Sequence, residues 1–286
     1  MSDDYSSASE RLTNVAHFAH NGCDFYYEIR GNEGPRAIFF NGSGASIETT
    51  GPLINALAKT MQIAVHDQRG LGASSVPTGP YTMAQYAEDG AALLRHIGWN
   101  SCIVIGISFG GMVAQEFAVT YPDMTDKLVL LCTSAGGAAG SSYPLHELSS
   151  LPEAERLDAM LRIMDIRFDQ EWFASHPSDA EVVRILRERG QVEKSPDRVR
   201  GERLQMEARV GHDVADRLAN VTAPTFVLAG RFDGIAPPSN SYEIAARIPD
   251  AVVSLYEGGH MFTSQDVNAI RDVREFVASG NRQIRS

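Results

Sequence analysis

The sequence predicts an α/β fold, in which a mostly parallel sheet is flanked by helices and interrupted by an all-helical insertion. Three observations lead to this prediction. Apolar, β-rich runs alternate with helical patterns over most of the chain, which is typical of crossover units on a parallel sheet. Asn21-Gly22 is a strong hairpin signal near the start and indicates antiparallel strands at one edge. Between about residues 143 and 215 no strand pattern occurs.

The predicted elements follow in chain order after a polar start at 1–13. Eight strands are short runs rich in apolar and β-branched residues. They span residues 15–20, 24–29, 37–40, 62–66, 102–107, 127–132, 225–229 and 252–256. Seven helices follow from an apolar period of 3.6 residues, and Thr82 is the predicted N-cap of the second. They span residues 52–59, 83–97, 109–121, 153–166, 179–189, 239–248 and 266–277.

Composition and charge exclude several classes of protein. The chain has 286 residues, of which 43% are hydrophobic and 21% charged, so disordered and fibrous architectures are excluded. A nucleic-acid-binding protein needs a basic surface, whereas this chain has a net charge of −11. The same acidic balance opposes docking on an anionic membrane. We therefore expect a small-molecule ligand, and a monomer or a homo-oligomer.

Cysteine content and the absence of targeting patterns predict a cytoplasmic protein. Cys23, Cys102 and Cys132 are odd in number and have no C-x-x-C spacing, which favours buried thiols in a reducing compartment. Residues 1–10 lack the charged and apolar regions of a signal peptide. No stretch approaches the roughly 18 apolar residues of a membrane span.

One short motif supplies a candidate nucleophile. Residues 106–110 read Gly-Ile-Ser-Phe-Gly and fit G-x-S-x-G, with Ser108 at the centre. A mostly apolar run precedes the motif and helix formers follow it, which is the strand–turn–helix setting that such a serine requires. Gly106, Gly110 and Gly111 supply the small residues that a sharp, strained turn needs. A glycine-rich turn that only packs a helix on a strand is the less favoured interpretation.

A serine hydroxyl needs an adjacent base, and His260 is the predicted one among eight histidines. It follows the last predicted strand, and loops at the carboxyl ends of parallel strands meet at the active site. His66 also ends a predicted strand and is less favoured. The predicted acid is Asp233, just after strand 225–229, because the end of strand 127–132 offers no carboxylate.

Two backbone amides are the predicted oxyanion hole, since the tetrahedral intermediate of acyl transfer needs N–H donors. One belongs to Phe109, directly after the predicted nucleophile. The other belongs to Ser43, in the turn Asn41-Gly42-Ser43-Gly44 that follows the third strand. An ordinary glycine-rich turn is the alternative, which the position right after a buried strand disfavours.

Two further features carry a family resemblance. The predicted triad residues occur in the order serine, aspartate, histidine, and residues 67–74 read Asp-Gln-Arg-Gly-Leu-Gly-Ala-Ser. Both are typical of α/β-hydrolases, whose D-x-R-G-x-G-x-S loop is structural. The chain resembles the α/β-hydrolase fold family along nearly its whole length. This implies an eight-stranded sheet, a core of residues 1–135 and 216–286, and a helical cap at 136–215 over the nucleophile.

Some stretches are similar to those of one branch of that family. They are residues 70–86, residues 106–115 around the predicted nucleophile, and Asn41 in place of the histidine in H-G-x-G. The chain resembles 3-oxoadipate enol-lactonases and related esterases in these stretches. They lie outside the predicted pocket, so they indicate a relative more than a substrate. The loop around Asp233 and residues 258–262 are less like that branch.

Residues that flank the catalytic loops are the predicted lining of a substrate pocket. They are Asn41, Gly42, Met112, Ile235, Met261 and Phe262. Core packing is the alternative for the apolar members, and for Met112 the two interpretations are equally supported. A substrate carboxylate would need an arginine, and Arg162, Arg167 and Arg203 of the cap are the candidates.

Three hypotheses for the function remain open. The first is a serine hydrolase without metal or cofactor, which cleaves a carboxylic ester or lactone through an acyl-enzyme. The second keeps the triad but hydrolyses a carbon–carbon bond of a ring-cleavage diketone. Such enzymes often carry a tryptophan at the position of Met261, so this hypothesis is less favoured. The third is a ligand-binding or receptor protein on a hydrolase fold, which a complete predicted triad disfavours.

Overall fold

One sheet of eight strands runs through the part of the chain that this computed structural model describes, residues 14–190 and 192–279. The strands are β1 (Asn14–His20), β2 (Cys23–Arg30), β3 (Arg36–Phe40), β4 (Gln62–His66), β5 (Cys102–Ile107), β6 (Thr125–Leu131), β7 (Thr225–Gly230) and β8 (Val252–Tyr256). Their order is β1-β2-β4-β3-β5-β6-β7-β8. β2 pairs antiparallel with β1 and β4, and all other neighbours are parallel. The predicted α/β fold with its mostly parallel sheet is confirmed.

Ten α-helices flank or interrupt this sheet within the described residues. They are α1 (Ile47–Leu57), α2 (Met83–His96), α3 (Phe109–Thr120), α4 (Glu153–Met164), α5 (Gln170–Ser175), α6 (Pro177–Gly190), α7 (Pro196–Val210), α8 (Pro238–Ala245), α9 (Phe262–Gln265) and α10 (Val267–Ala278). Short 3₁₀ turns occupy Pro122–Met124, Gly137–Ala139, Leu145–Ser150 and Ala215–Asn220. Helices α4 to α7 lie between β6 and β7. No helix in the described ranges combines the length and apolarity needed to cross a bilayer.

The helix α1 begins five residues before the predicted start at 52, and its first turn explains why. The N–H of Ser46 donates to Thr49 Oγ1 at 2.9 Å, and the N–H of Ile47 donates to Asp67 Oδ1 at 2.7 Å. Free N–H groups at a helix start need such acceptors. Pro52 misled the prediction, because proline is common at the first helical position and here lies inside the helix. The predicted cap of α2 is confirmed, since Thr82 Oγ1 accepts from the N–H of Gln85 at 3.1 Å.

The central strands are buried on both faces, which explains their continuous apolar runs. In β3, Ile38 and Phe40 pack on the side of α2 and α3, whereas Ala37 and Phe39 pack on the side of α1 and α10. Alternate side chains of a strand point to opposite faces, so one short run contributes to two cores. A small separate core lies among the helices between β6 and β7, built on Leu161, Phe168 and Val183.

The three cysteines are free and buried, as predicted. The polar ends predicted at 1–13 and 280–286 lie outside the described residues. The parallel strands β5, β7 and β8 all end at the same edge of the sheet. The loops that follow them carry the three predicted catalytic side chains, so the fold brings distant parts of the chain to one place.

Candidate active site

Ser108 lies in the sharp turn between β5 and α3, with a left-handed backbone at φ 55° and ψ −118°. A non-glycine residue at positive φ is strained, and such strain concentrates at functional sites. The turn closes only because α3 approaches the strands without side chains between them. A Cβ at Gly110 would lie 2.0 Å from the carbonyl oxygen of Phe40, and one at Gly106 would lie 2.2 Å from that of Gly110. Thr133 Oγ1 also donates to the Ser108 carbonyl at 2.8 Å.

The three predicted catalytic side chains form one hydrogen-bonded chain. His260 Nε2 lies 2.9 Å from Ser108 Oγ, and His260 Nδ1 lies 2.7 Å from Asp233 Oδ2. The other carboxylate oxygen of Asp233 accepts from the N–H groups of Ile235 and Ala236 at 2.8 and 2.9 Å. The Asp233 side chain is fully buried, and that of His260 is 13% exposed. This geometry lets the imidazole take the hydroxyl proton while the carboxylate stabilises the resulting charge.

The charge state of His260 depends on its neighbours. Burial alone lowers the pKa of this imidazole, but Cys132 and Asp233 outweigh burial, so the pKa is raised well above its ordinary value of 6.5. Stabilising the imidazolium is what a catalytic base needs once it has accepted a proton. The His260 backbone is fixed as well, because its N–H donates to the carbonyl of Met164, the last residue of α4, at 2.5 Å.

Cys132 is a neighbour of the triad that the sequence interpretation missed. It follows β6 with φ 40°, and its Sγ donates to the His260 carbonyl at 3.4 Å. Ligand-type atoms of Cys132, Asp233 and His260 lie within 4.8 Å of one another, and all three are zinc-ligand types. His260 Nδ1 and Asp233 Oδ2 are joined by a hydrogen bond, so these two potential metal ligands are already paired with each other. A Ser–His–Asp triad requires that pairing. The end of β6 has no carboxylate, and the side chain beside His260 at that position is the Cys132 thiol.

Both predicted oxyanion donors border the nucleophile. Phe109 is the first residue of α3, so its N–H has no intrahelical acceptor. Ser43 lies in the turn after β3, which touches the nucleophile, since a Cβ at Gly42 would lie 3.6 Å from Ser108 Cβ. The Gly44 N–H donates to Gln205 Oε1 of α7 at 2.7 Å, which anchors the turn. Gln205 was not predicted, because 161 residues separate it from its partner.

A cavity of about 700 Å³ opens onto Ser108 and His260. Gly42, Ile235 and Met261 of the predicted pocket line it. The apolar remainder of the lining includes Leu53, Ala56, Ile107, Leu145, Met160, Met164, Leu186 and Ile270. Neither lysine nor arginine contributes to this lining among the described residues. The space beside the nucleophile is therefore mostly apolar, and within the described part of the chain neither lysine nor arginine lines it.

The α/β-hydrolase fold family matches residues 38–266, which is most of the chain. This protein belongs to the α/β-hydrolase fold family. The poly(3-hydroxyalkanoate) depolymerase of Ectopseudomonas oleovorans is 31% identical over 244 residues, 82% of this chain and 81% of that protein. The 3-oxoadipate enol-lactonase 2 of Acinetobacter baylyi is 24% identical over 243 residues, 85% of this chain and 88% of that protein.

A solved structure agrees with this assignment. A hydrolase from Pseudomonas aeruginosa PA01 has a TM-score of 0.73 and 28% identity, covering 93% of this chain and 99% of that one. These three similar proteins are named for hydrolytic activities, and the predicted resemblance to enol-lactonases and related esterases is confirmed. Hydrolysis is accordingly the class of reaction that the family supports.

Three residues predicted to bind substrate lie away from the large cavity of this α/β hydrolase. Asn41 is fully buried, where its Nδ2 donates to the carbonyl of His66 and its Oδ1 accepts from Thr50. Phe262 packs in the core, its ring stacked on Tyr256 at 5.5 Å. Met112 lines a separate, smaller cavity. Flanking a catalytic loop in sequence does not decide which way a side chain points.

The three candidate arginines also lie away from the large cavity. Arg167 is bound to Asp165 at 2.6 Å and lies between the rings of Trp172 and Phe232, 4.1 and 3.9 Å from their centroids. Arg203 pairs with Glu207 one turn along α7, on the exposed surface. Arg162 is exposed on α4 and does not line the cavity. In Arg167 and Arg203 the charge is already neutralised by an acid of the same chain.

Proposed function

We propose that this α/β hydrolase cleaves a carboxylic ester or lactone of a small molecule through an acyl-enzyme on Ser108. The hydrogen-bonded chain from Ser108 through His260 to Asp233, at a strained turn facing an apolar cavity, supports the proposal most. The relatives named as a depolymerase and an enol-lactonase support it further. Both of those names describe the cleavage of ester bonds.

In the proposed mechanism, His260 takes the proton of Ser108 Oγ as the hydroxyl attacks the substrate carbonyl. The backbone amides of Phe109 and Ser43 donate to the oxyanion of the tetrahedral intermediate. The imidazolium, stabilised by Asp233, then gives its proton to the leaving alcohol. A water molecule that His260 deprotonates attacks the acyl-enzyme, releases the acid and regenerates the hydroxyl.

We further propose that the acyl part of the substrate is apolar and uncharged. The large cavity is lined mainly by methionine, leucine and isoleucine side chains, and among the described residues it has no lysine or arginine to pair with a substrate carboxylate. An unpaired carboxylate placed there would lose its hydration without a compensating partner. A neutral hydroxyalkanoate ester fits this lining, and an enol-lactone with a free carboxylate does not.

We also propose that residues 136–215 act as a cap on a core made of residues 1–135 and 216–286. Leu145, Met160, Met164 and Leu186 from this segment line the same cavity as Ser108. The helical segment therefore contributes much of the apolar surface that an acyl chain would contact. In addition, the backbone carbonyl of Met164 accepts a hydrogen bond from the N–H of His260.

A matched pair of esters tests the proposed function. We expect p-nitrophenyl hexanoate to be hydrolysed with a kcat/KM at least tenfold above that of the mono-p-nitrophenyl ester of adipic acid, which adds one carboxylate. Ser108→Ala should abolish both activities. Equal or better turnover of the charged ester would overturn the substrate class. Turnover of a ring-cleavage dienoate without ester hydrolysis would replace the reaction with carbon–carbon hydrolysis, and binding without turnover would indicate a receptor.

A further inference from the structure

A second, smaller cavity of about 210 Å³ lies beside the first turns of α3 and shares no lining residue with the large one. Its wall combines Met112 of α3, serines and His146 of the segment that follows β6, Arg209 near the end of α7, and His212 just after that helix. The polar lining residues used below are Ser134, Ser142, Arg209 and His212. We call this space the Arg209 cavity.

Arg209 is a buried cation without an anionic partner. Its side chain belongs to a residue that is 8% exposed, and no carboxylate of the described residues lies within ion-pair distance. Burial lowers the pKa of the guanidinium to about 10, so it stays charged at neutral pH. Arginine is almost never fully buried unless it is paired. Arg69, the other arginine of the described residues that is this well buried, follows that rule, because it pairs with Asp89 at 2.6 Å.

The hydrogen bonds of Arg209 to described residues occupy only one of its three guanidinium nitrogens. Nη2 donates to Ser142 Oγ and to the carbonyl of Tyr143, both at 2.6 Å. Nε and Nη1 donate to no group among the described residues. A guanidinium presents its donors as a rigid fork that matches the two oxygens of a carboxylate or phosphate.

The serine hydroxyls of the wall add further donors. Ser142 Oγ accepts from Arg209, and Ser134 Oγ accepts from the N–H of Ser142 at 3.1 Å. Because each oxygen is used as an acceptor, its hydroxyl proton is available to donate into the cavity.

His212 also lines the cavity, and its buried Nε2 has no hydrogen-bond partner among the described residues. Burial lowers the pKa of this imidazole to about 4, so the ring is neutral at pH 7 and adds no positive charge to the site. Glu116 and Asp213 act on the same imidazole, but both line the neighbouring cavity on its other side. Glu116 is in addition neutralised by Arg217 at 2.6 Å.

We propose that the Arg209 cavity binds a small oxyanion, either a carboxylate or inorganic phosphate. The ligand would accept from Nε and Nη1 of Arg209 and from the hydroxyls of Ser134 and Ser142. The small volume restricts the ligand to a few heavy atoms, and the absence of an acid beside Arg209 leaves the site one negative charge short. This site is separate from the proposed ester-binding cavity, so the proposal of oxyanion binding does not depend on the proposed reaction.

Isothermal titration calorimetry tests the site with two probes, sodium butyrate and sodium phosphate, at ionic strength held constant with sodium chloride. We expect saturable binding of one of them at one site per chain. Arg209→Gln should weaken it by roughly tenfold or more, because charge-assisted hydrogen bonds to the ligand are lost. Arg203→Gln, on the same helix but exposed and paired, is the matched control and should bind as the wild type does. The probe that binds identifies the ligand class.

A second variant keeps the test valid if Arg209→Gln does not fold. Ser134→Ala removes a hydroxyl donor, retains the charge, and should weaken the same probe several-fold. Failure of both probes to bind the wild type would overturn the proposal. Equal binding by wild type and a folded Arg209→Gln variant would also overturn it, because butyrate held at Ser108 would behave in that way.

Discussion

At the scale of single residues, some side chains of the site can be recognised from their neighbours in the sequence, whereas others depend on residues far away in the chain. The sequence predicted Ser108, Asp233 and His260, because a glycine-flanked turn and the ends of strands can be recognised from neighbours in the chain. The structure brings them within hydrogen-bond distance. The contact of Cys132 with His260 and the burial of Asn41 were not predictable in this way. Both depend on residues that are distant in sequence.

The role of Asp233 predicts the effect of an isosteric substitution. In Asp233→Asn, we expect kcat for p-nitrophenyl butyrate to fall on the order of 10³–10⁴-fold, because an amide can neither hold the correct tautomer of His260 nor stabilise its charge. Steady-state kinetics measure the loss. Asp250→Asn, in an exposed turn, is the control and should keep wild-type activity. A loss of less than tenfold in Asp233→Asn would show that this carboxylate does not support the base.

The raised pKa of His260 predicts the pH dependence of the reaction. The base must be neutral to accept the serine proton, so activity falls as the pH drops through the pKa of His260. Because that pKa lies above 6.5, we expect the acid limb of the kcat/KM profile to have its midpoint above pH 6.5. Rates measured from pH 5 to 10 in buffers of constant ionic strength check this. A midpoint at or below 6.5 would mean that Asp233 and Cys132 do not outweigh burial.

At the scale of elements, strands were more predictable than helix ends. The eight strands are short runs rich in apolar residues, the central ones buried on both faces, and each strand was predicted to within about two residues. The start of α1 was not, because it depends on the carboxylate of Asp67, 20 residues further along the chain. Helix α7 was missed altogether, since its charged sequence has a weak apolar period. Its contacts with the turn after β3, through Gln205 to the Gly44 N–H and through Arg198 to the Gly44 carbonyl, are tertiary.

The packing of α3 on the strands predicts a specific weak point. Gly110→Ala places a methyl group 2.0 Å from the Phe40 carbonyl oxygen, so α3 must move and carry Ser108 with it. We expect a loss of about 2 kcal/mol in the free energy of unfolding and a clear loss of activity. Urea denaturation measures the first. Gly211→Ala, where the nearest atom lies 3.9 Å away, is the control. Unchanged stability in Gly110→Ala would mean that α3 is not held this closely.

At the scale of the whole molecule, the net charge of −11 identified no partner, whereas the alternation of strands and helices predicted the architecture. The cavity could not be predicted, because its lining comes from α1, from the helices after β6 and from the loops after β7 and β8. Its apolar surface emerges only when these parts pack together. The same packing buries histidines that the proposed reaction does not use, among them His66.

His66 predicts how the stability of the molecule depends on pH. Both ring nitrogens are buried and have no hydrogen-bond partner in the described ranges, and burial lowers the pKa of this imidazole from 6.5 to about 4. Between pH 6.5 and 4 the imidazole binds a proton in the unfolded chain but not in the folded protein. The free energy of unfolding is therefore highest above pH 6.5 and falls as the pH drops towards 4. His66→Leu removes this contribution. We expect wild type to lose about 2 kcal/mol more than the variant between pH 7.5 and 5.

Urea denaturation at each pH measures that difference, and other titrating groups cancel between the two proteins. His17→Leu, at a half-exposed side chain, is the matched control and should keep the wild-type dependence. Parallel curves for wild type and His66→Leu would contradict the prediction.

The proposed reaction requires Ser108 to be an activated nucleophile, and a fluorophosphonate probe detects such a serine. Such probes react with a serine only where a neighbouring base and oxyanion donors activate it. Mass spectrometry of the intact protein and of its peptides should find one adduct per chain, on Ser108, and none on folded Ser108→Ala. A folded wild-type protein that stays unlabelled, or that carries the adduct on another residue, would show that Ser108 is not the activated nucleophile.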